Sequence, residues 1–176
     1  SGSTQTATSV FELVAALDAG PVLDAEYCSI DADDTADLLL DRLSRTGAQQ
    51  LVRIVEQLEA GHAHARDQQG KPTYATKLSH DDGAFRAHAS GAQTYNRFRG
   101  VTSEPGFFFF DADQRIKVLD ARLSAARIES GELTVQDGRV YLGTQSLALE
   151  LRSVHPAGKV GMSAADWMRG RASRKG

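Results

Sequence analysis

Residues 131–158, "GELTVQDGRVYLGTQSLALELRSVHPAG", decide how the second half of this chain is read. They hold three short apolar-rich runs separated by turn chemistry. Asp137-Gly138 suits a two-residue hairpin turn, because both residues tolerate positive φ. Gly143 supplies a second break. Closely spaced short strands of this kind predict a small antiparallel barrel of the OB type. Just upstream, "SEPGFFFFDADQRIKVLDARL" (103–123) predicts two further strands around a turn at Asp111–Gln114. Neighbouring strand residues face opposite sides, so two of the rings in Phe107–Phe110 fill a core and two face elsewhere. Core packing is the favoured role for this run over stacking on bases. "SAADWMRGRA" (163–172) predicts a closing helix capped by Ser163, with Trp167 and Met168 packing on the barrel.

The first half reads differently. "TSVFELVAAL" (8–17) and "VLDAEYCSI" (22–30) predict two strands, and "DAGP" between them carries turn residues. "DADDTADLLLDRLSRTG" (31–47) predicts a helix capped by Asp33 or Asp34, with Leu38, Leu39 and Leu43 as an apolar stripe. Gly47 is read as a left-handed stop. A second helix then runs over 48–60 with Leu51, Ile54, Val55 and Leu58 on one face. Together these predict a helical corner. Residues 61–77, "GHAHARDQQGKPTYATK", break the periodicity and predict a surface linker. His62 and His64 alternate there, but no third ligand sits at matching spacing, so no metal site is read. "GAQTYNRFRGV" (91–101) predicts a short helix with Arg97 and Arg99 on a basic side.

With 176 residues, 41% hydrophobic and 24% charged, the chain has the composition of a globular protein of one or two domains. No apolar run approaches the roughly 18 residues of a membrane span. A single cysteine, Cys28, excludes an internal disulfide and fits a reducing compartment; it is read as a buried small residue. Charge divides unevenly. Residues 1–77 hold 6 Lys/Arg and 12 Asp/Glu, net −6; residues 78–176 hold 14 and 11, net +3. The basic second half points toward an anionic partner such as nucleic acid. Asp18, in "LDAGP", admits two readings. From the residues alone the turn-forming one leads, and the alternative is a positioned general acid–base group. No nucleophile elbow, triad or phosphate loop is present.

Several segments together resemble the second half of the methionyl-tRNA formyltransferases. These are "LDAGPVL" (17–23), "DDTADLLLDRLSRTGAQQLVRIVEQLEAG" (33–61), "DQQGKPTYATKLSHDDG" (67–83), "NRFRG" (96–100), "PGFFFF" (105–110), "RIKVLDA" (115–121) and "VHPAGKVGMSAADWMRG" (154–170). The resemblance runs from about Thr8 to Gly170. It implies transfer of a formyl group from 10-formyltetrahydrofolate to the amino group of initiator methionyl-tRNA in the bacterial cytoplasm. It also implies an α+β architecture. Residues 1–60 would end a Rossmann-like formyl-transfer domain, residues 61–77 would be a linker, and residues 78–176 would form an OB-like tRNA-binding barrel. Asp18 matches the family's catalytic aspartate, which orients a catalytic histidine or a bridging water. Lys77 matches the linker lysine.

Lys77, Arg97, Arg99, Lys117, Arg122, Arg127 and Lys159 are the candidate RNA-binding set, each weighed against a role in solubility. Arg169, Arg171, Arg174 and Lys175 make a basic tail. The family's Asn/His segment, N-x-H-x-S-L-L-P, occurs nowhere in the chain, so the chain alone is expected to be inactive. Two stretches depart from the family pattern. "AFRAHAS" (84–90) replaces an I-D-W segment, and "RGVTSEPG" (99–106) keeps only Arg99, Pro105 and Gly106 in step. His155 stands where a Gln is usual. The alternatives are a standalone RNA-binding barrel and an amino-sugar formyltransferase relative. Apolar faces in residues 8–60 are expected to be left uncovered and to drive self-association.

Overall fold

The computed structural model describes residues 2–172. They fall into two compact units, Ser3–Thr76 and the residues from Lys77 onward, with Gly2 grouped in the second.

In the first unit, β1 (Gln5–Phe11) and β2 (Val22–Ser29) form an antiparallel ribbon, Gln5 opposite Ser29 and Thr8 opposite Glu26. The first strand ends at Phe11 and does not continue to residue 17. A bulge at Val10/Phe11 breaks the register, and the last closing bond is Glu12 N–H to the Pro21 carbonyl, 3.0 Å. Beyond it the chain loops out, and Leu13 and Leu17 are about nine-tenths exposed.

The expected helical corner is one continuous helix, α1 (Ala36–Glu59). Gly47 lies inside it and does not stop it. Leu39, Leu43, Gly47, Gln50 and Ile54 recur at helical spacing on the side turned from solvent, so the packed stripe stays in register across the glycine. A glycine inside a helix costs about 1 kcal/mol but does not forbid it. The stripe also differs from the expected one: Leu38, Leu51, Val55 and Leu58 are exposed. The cap is Thr35, whose hydroxyl accepts from Leu38 N–H at 3.4 Å, and neither Asp33 nor Asp34. Asp34 is engaged otherwise, accepting from Asp31 N–H at 2.8 Å and pairing with Arg42. Buried Gln50 donates to the Asp24 carboxylate at 3.0 Å, tying helix to ribbon. Cys28 is half-buried, not core.

The second unit opens with a 3₁₀ turn at His80–Gly83, followed by α2 (Gly91–Val101). Ser90 and Gln93 form a reciprocal capping box at the start of α2. Then come β3 (Phe108–Asp111), β4 (Gln114–Leu123), β5 (Leu133–Gln136), β6 (Arg139–Leu142), β7 (Leu149–Pro156), β8 (Met162–Ser163) and α3 (Ala164–Ala172). Asp137 and Gly138 both take positive φ, as the hairpin turn requires. Ser163 caps α3 as expected, accepting from Asp166 N–H at 3.1 Å.

The strands pair antiparallel in the order β3-β4-β7-β6-β5, with β8 beside β7. The expected barrel is therefore not closed: β3 and β5 remain edges. Both are only four residues long. The free side of β3 is occupied by residues 84–85, where Phe85 N–H donates to the Phe108 carbonyl at 2.8 Å. A cavity of 220 Å³, lined by Phe85, Phe108, Phe109, Phe110, Leu133 and Leu142 among others, separates the two edges.

Beneath the sheet, Phe98, Phe107, Ile116, Val118, Val140, Leu142, Leu149 and Val154 are almost wholly buried. Phe98 meets Phe107 edge-on at 6.1 Å, and Phe109 meets Trp167 at 5.8 Å. Phe107 and Phe109 thus fill the core. Phe108 faces the other way but is covered by His80 and Arg115, while Phe110 stays 62% exposed.

A Cβ at Gly47 would meet the Thr8 side chain at ordinary contact distance, its methyl at 3.6 Å and its Cβ at 3.8 Å. Gly47→Ala is expected to raise stability by about 0.5–1 kcal/mol in denaturant unfolding, because it removes backbone freedom from the unfolded chain without a clash. A loss of stability would instead indicate a helix break at residue 47.

Candidate functional site

Asp18 sits in the loop between β1 and β2 at φ 53°, a left-handed conformation that Asp tolerates better than most residues. Two neighbours fix the loop. Gly20 lies so close to the Glu12 backbone that a Cβ would fall 1.7 Å from its carbonyl oxygen. The Gln68 side-chain amide donates to both the Asp18 and the Gly20 carbonyls, each at 2.8 Å. A residue fifty positions away thus pins the turn through its backbone and leaves the Asp18 side chain exposed. Arg66 reinforces this with paired backbone bonds to Val22, 2.8 and 2.9 Å. The segment read as a linker is therefore partly docked on the ribbon. Periodicity carries no signal for the Gln68 contact.

The second candidate region is the solvent side of the sheet. Directly opposed residues share a face, and the registers Phe110/Arg115, Lys117/His155 and Arg122/Glu150 place these residues together. Arg139 and Arg152 approach the same Glu150, at 3.6 and 3.8 Å. The result is a face with five Lys/Arg side chains, the Glu150 carboxylate at its centre, exposed His155 and the exposed ring of Phe110, with Glu104 3.9 Å from Lys117 and Asp120 3.5 Å from Arg122. The Arg115 guanidinium lies 4.1 Å over the Phe108 ring.

The structure separates the candidate cations. Lys117 and Arg122 lie on this sheet face, and Lys159 follows β7 in the adjoining turn, where its carbonyl meets His155 Nε2 at 2.5 Å. Arg127 is exposed in the loop after β4, and Lys77 is exposed at the start of the unit. Arg97 and Arg99 are on α2, away from the sheet face, and are engaged locally. Arg97 donates to the Asp82 carbonyl at 2.7 Å; Arg99 donates to Asn96 at 2.7 Å and lies over Tyr95. Arg115, Arg139 and Arg152 complete the sheet face and were not singled out from the sequence. Of the basic tail, Arg171 pairs with Asp111 at 2.7 Å and Arg169 with Asp166, while Arg174 and Lys175 lie outside the described residues.

Asp82 anchors the turn before α2. Its carboxyl is held below its ordinary value by the Ser79 backbone N–H, then by the Ser79 hydroxyl, with Arg97 and Arg86 nearby.

Comparison with known proteins bears on both regions. Residues 77–172 match the family model described as formyl transferase, C-terminal domain. The chain is 43% identical to a methionyl-tRNA formyltransferase of Clavibacter sepedonicus over 96% of its own length and 56% of that relative's. It thus spans a little over half the length of that protein. Among solved structures, HypX from Aquifex aeolicus in complex with tetrahydrofolic acid is similar over 95% of this chain and 30% of its own, with TM-score 0.73 at 14% identity. A methionyl-tRNA formyltransferase from Clostridium thermocellum is similar over 85% of this chain and 57% of its own, with TM-score 0.51 at 14% identity. At such identities the structural likeness concerns the fold alone.

Two outcomes follow from the local geometry. Gly20→Ala should cost about 1–3 kcal/mol in unfolding of the first unit, because backbone must shift to admit the methyl. Gln68→Ala should cost about 1 kcal/mol and speed amide exchange around Asp18. Unchanged exchange there would show that Gln68 does not hold the turn. Because the Asp82 carboxyl titrates lower folded than unfolded, its stabilising effect is present at neutral pH and is lost as pH falls through the folded-state value. Asp82→Asn should flatten that part of the acid unfolding profile.

Proposed function

Because the chain belongs to the formyl transferase family, we propose that it is the C-terminal portion of a methionyl-tRNA formyltransferase. The observation that carries this reading is the match to methionyl-tRNA formyltransferases at about 40% identity along almost all of the chain. In this reading the whole protein moves a formyl group from 10-formyltetrahydrofolate to the amino group of initiator methionyl-tRNA, in the bacterial cytoplasm during translation initiation. Residues 1–60 complete the Rossmann-like formyl-transfer domain, residues 61–77 link, and residues 78–176 hold tRNA with an open OB-like sheet.

Asp18 is the acid–base partner in this scheme. Its backbone is fixed by Gly20 and Gln68, while its carboxylate reaches solvent. Such a carboxylate can hold and orient a neighbouring imidazole or water as the amine loses its proton. The folate supplies the activated formyl group when bound. The described residues place two exposed carboxylates, Glu12 and Asp18, in the hairpin loop. No folate contact is assigned to them.

The sheet face supports the tRNA role. Lys117, Arg122, Arg115, Arg139 and Arg152 offer phosphate contacts, and Phe110 offers a ring for stacking. Lys77, Arg127 and Lys159 can extend the electrostatic contact from flanking segments. Arg97 and Arg99 are held by local hydrogen bonds and take a smaller share. The exposed apolar residues Leu13, Leu17, Leu40, Leu51, Val52 and Leu58 support self-association of the isolated chain through residues 8–60.

Two measurements test this. Binding of tRNA to the chain should weaken steeply with salt, and the double variant Lys117→Gln/Arg122→Gln should lower the log–log salt slope by about two, one per lost phosphate contact. A slope near zero, or one unchanged in the variant, would remove the sheet face from the interface. Light scattering of the isolated chain should show mass rising with concentration. A monomer at all concentrations would contradict self-association.

A further inference from the structure

A cleft of 660 Å³ lies beside α2 in the second unit. Its lining comes from two short stretches. Arg86 and His88 stand on the segment after the 3₁₀ turn; Gln93, Asn96 and Arg97 stand on one side of α2. Leu78, Ala89 and Val101 add apolar surface, and Asp82 completes the wall.

The charge balance favours an anion. Two guanidiniums and an imidazole face one carboxylate, and that carboxylate is already committed to the Ser79 backbone N–H and hydroxyl, both at 2.8 Å. Arg97 is pre-positioned by its bond to the Asp82 carbonyl, which engages one of its five N–H groups. A guanidinium held in place this way loses little freedom on binding a phosphate. Asn96 spends its carbonyl on Arg99 and Gln93 spends its own on the Ser90 N–H. Each side chain therefore keeps amide N–H donors that these bonds do not use.

Size separates a simple anion from a larger ligand. Ligand sites for drug-sized molecules run from about 300 to 1,000 Å³. This cleft lies within that range, with more room than an inorganic phosphate fills. A cationic end, amide donors and an apolar wall match a phosphate joined to a sugar and a base. Arg86 and His88 also belong to residues 84–90, the stretch that departs from the pattern of the formyltransferase family. Arg97, in contrast, lies in segment 96–100, which follows the family pattern.

We propose that the cleft beside α2 binds a nucleoside 5′-phosphate unit, with Arg86 and Arg97 on the phosphate and Asn96 and Gln93 on the nucleoside. The unit can be a free mononucleotide or the exposed terminal nucleotide of an RNA. The proposal does not rest on the formyl-transfer reading.

The test titrates the full chain with adenosine 5′-monophosphate, with adenosine and inorganic phosphate as the half-ligand arms, followed by calorimetry and by amide shifts at Arg86, Gln93 and Asn96. The mononucleotide should saturate and bind more tightly than either half. Arg86→Gln, an exposed position, should weaken it about tenfold, the loss of one charge-assisted contact. The variant Lys117→Gln/Arg122→Gln should leave mononucleotide binding unchanged, so a failure of the sheet face as an RNA surface would not be mistaken for failure here. Competition by tRNA would identify RNA as the source, and its absence a free nucleotide; both agree with the proposal. Equal binding of phosphate alone, no shifts in the cleft, or an unaffected Arg86→Gln would overturn it.

Discussion

The antiparallel pairing of β4 with β7 is the constraint on which the second unit depends. Ile116 and Val118 on one strand, and Val154 and Pro156 on the other, face the core together. Strict alternation would then place Asp120 and Arg122 inward. A double irregularity between Val118 and Ala121 prevents this, so that Val118 opposes Val154 and Ala121 opposes Leu151. Ala121 and Leu151 return to the core, and Arg122 turns to solvent beside Glu150. The same shift lets Phe98, Phe107 and Trp167 pack against an unbroken apolar layer while the charges collect on the far side. The same irregularity thus sets both the core layer and the basic face.

Much of this was legible in the sequence. The turn at Asp137-Gly138, the break at Gly143, the Ser163 cap and the alternation of the rings in Phe107–Phe110 all follow from local rules of backbone preference and strand alternation. Asp18 was visible because Asp-Ala-Gly-Pro is a turn by composition. The misses share a physical origin in contacts between distant residues. Gly47 looks like a stop, yet the packed stripe from Leu39 to Ile54 carries the helix through it. The barrel looked closed because short strands are common to open and closed sheets, and the chain's own residues 84–85 occupy the edge of β3. Arg115, Arg139 and Arg152 gain their place from register, which single-strand patterns do not give.

The two candidate regions are built on opposite strategies. Asp18 is held by its backbone, through Gln68 and the contact that only Gly20 permits, so its side chain is positioned without being engaged. The sheet face instead relies on several cationic side chains, exposed or half-buried, that share the carboxylates of Glu150, Asp120 and Glu104. The first arrangement suits proton management at one atom. The second suits a polyanion, where summed charge matters more than any one contact.

The central claim is that Asp18 serves formyl transfer to methionyl-tRNA. Its most direct test is the formylation rate of a protein that contains this chain together with the remaining length of its relatives, compared with its Asp18→Asn variant. The rate should fall by about 10²–10⁴-fold, with tRNA affinity and unfolding midpoint unchanged. A variant that formylates at the parental rate would contradict the claim and return Asp18 to the role of a turn residue.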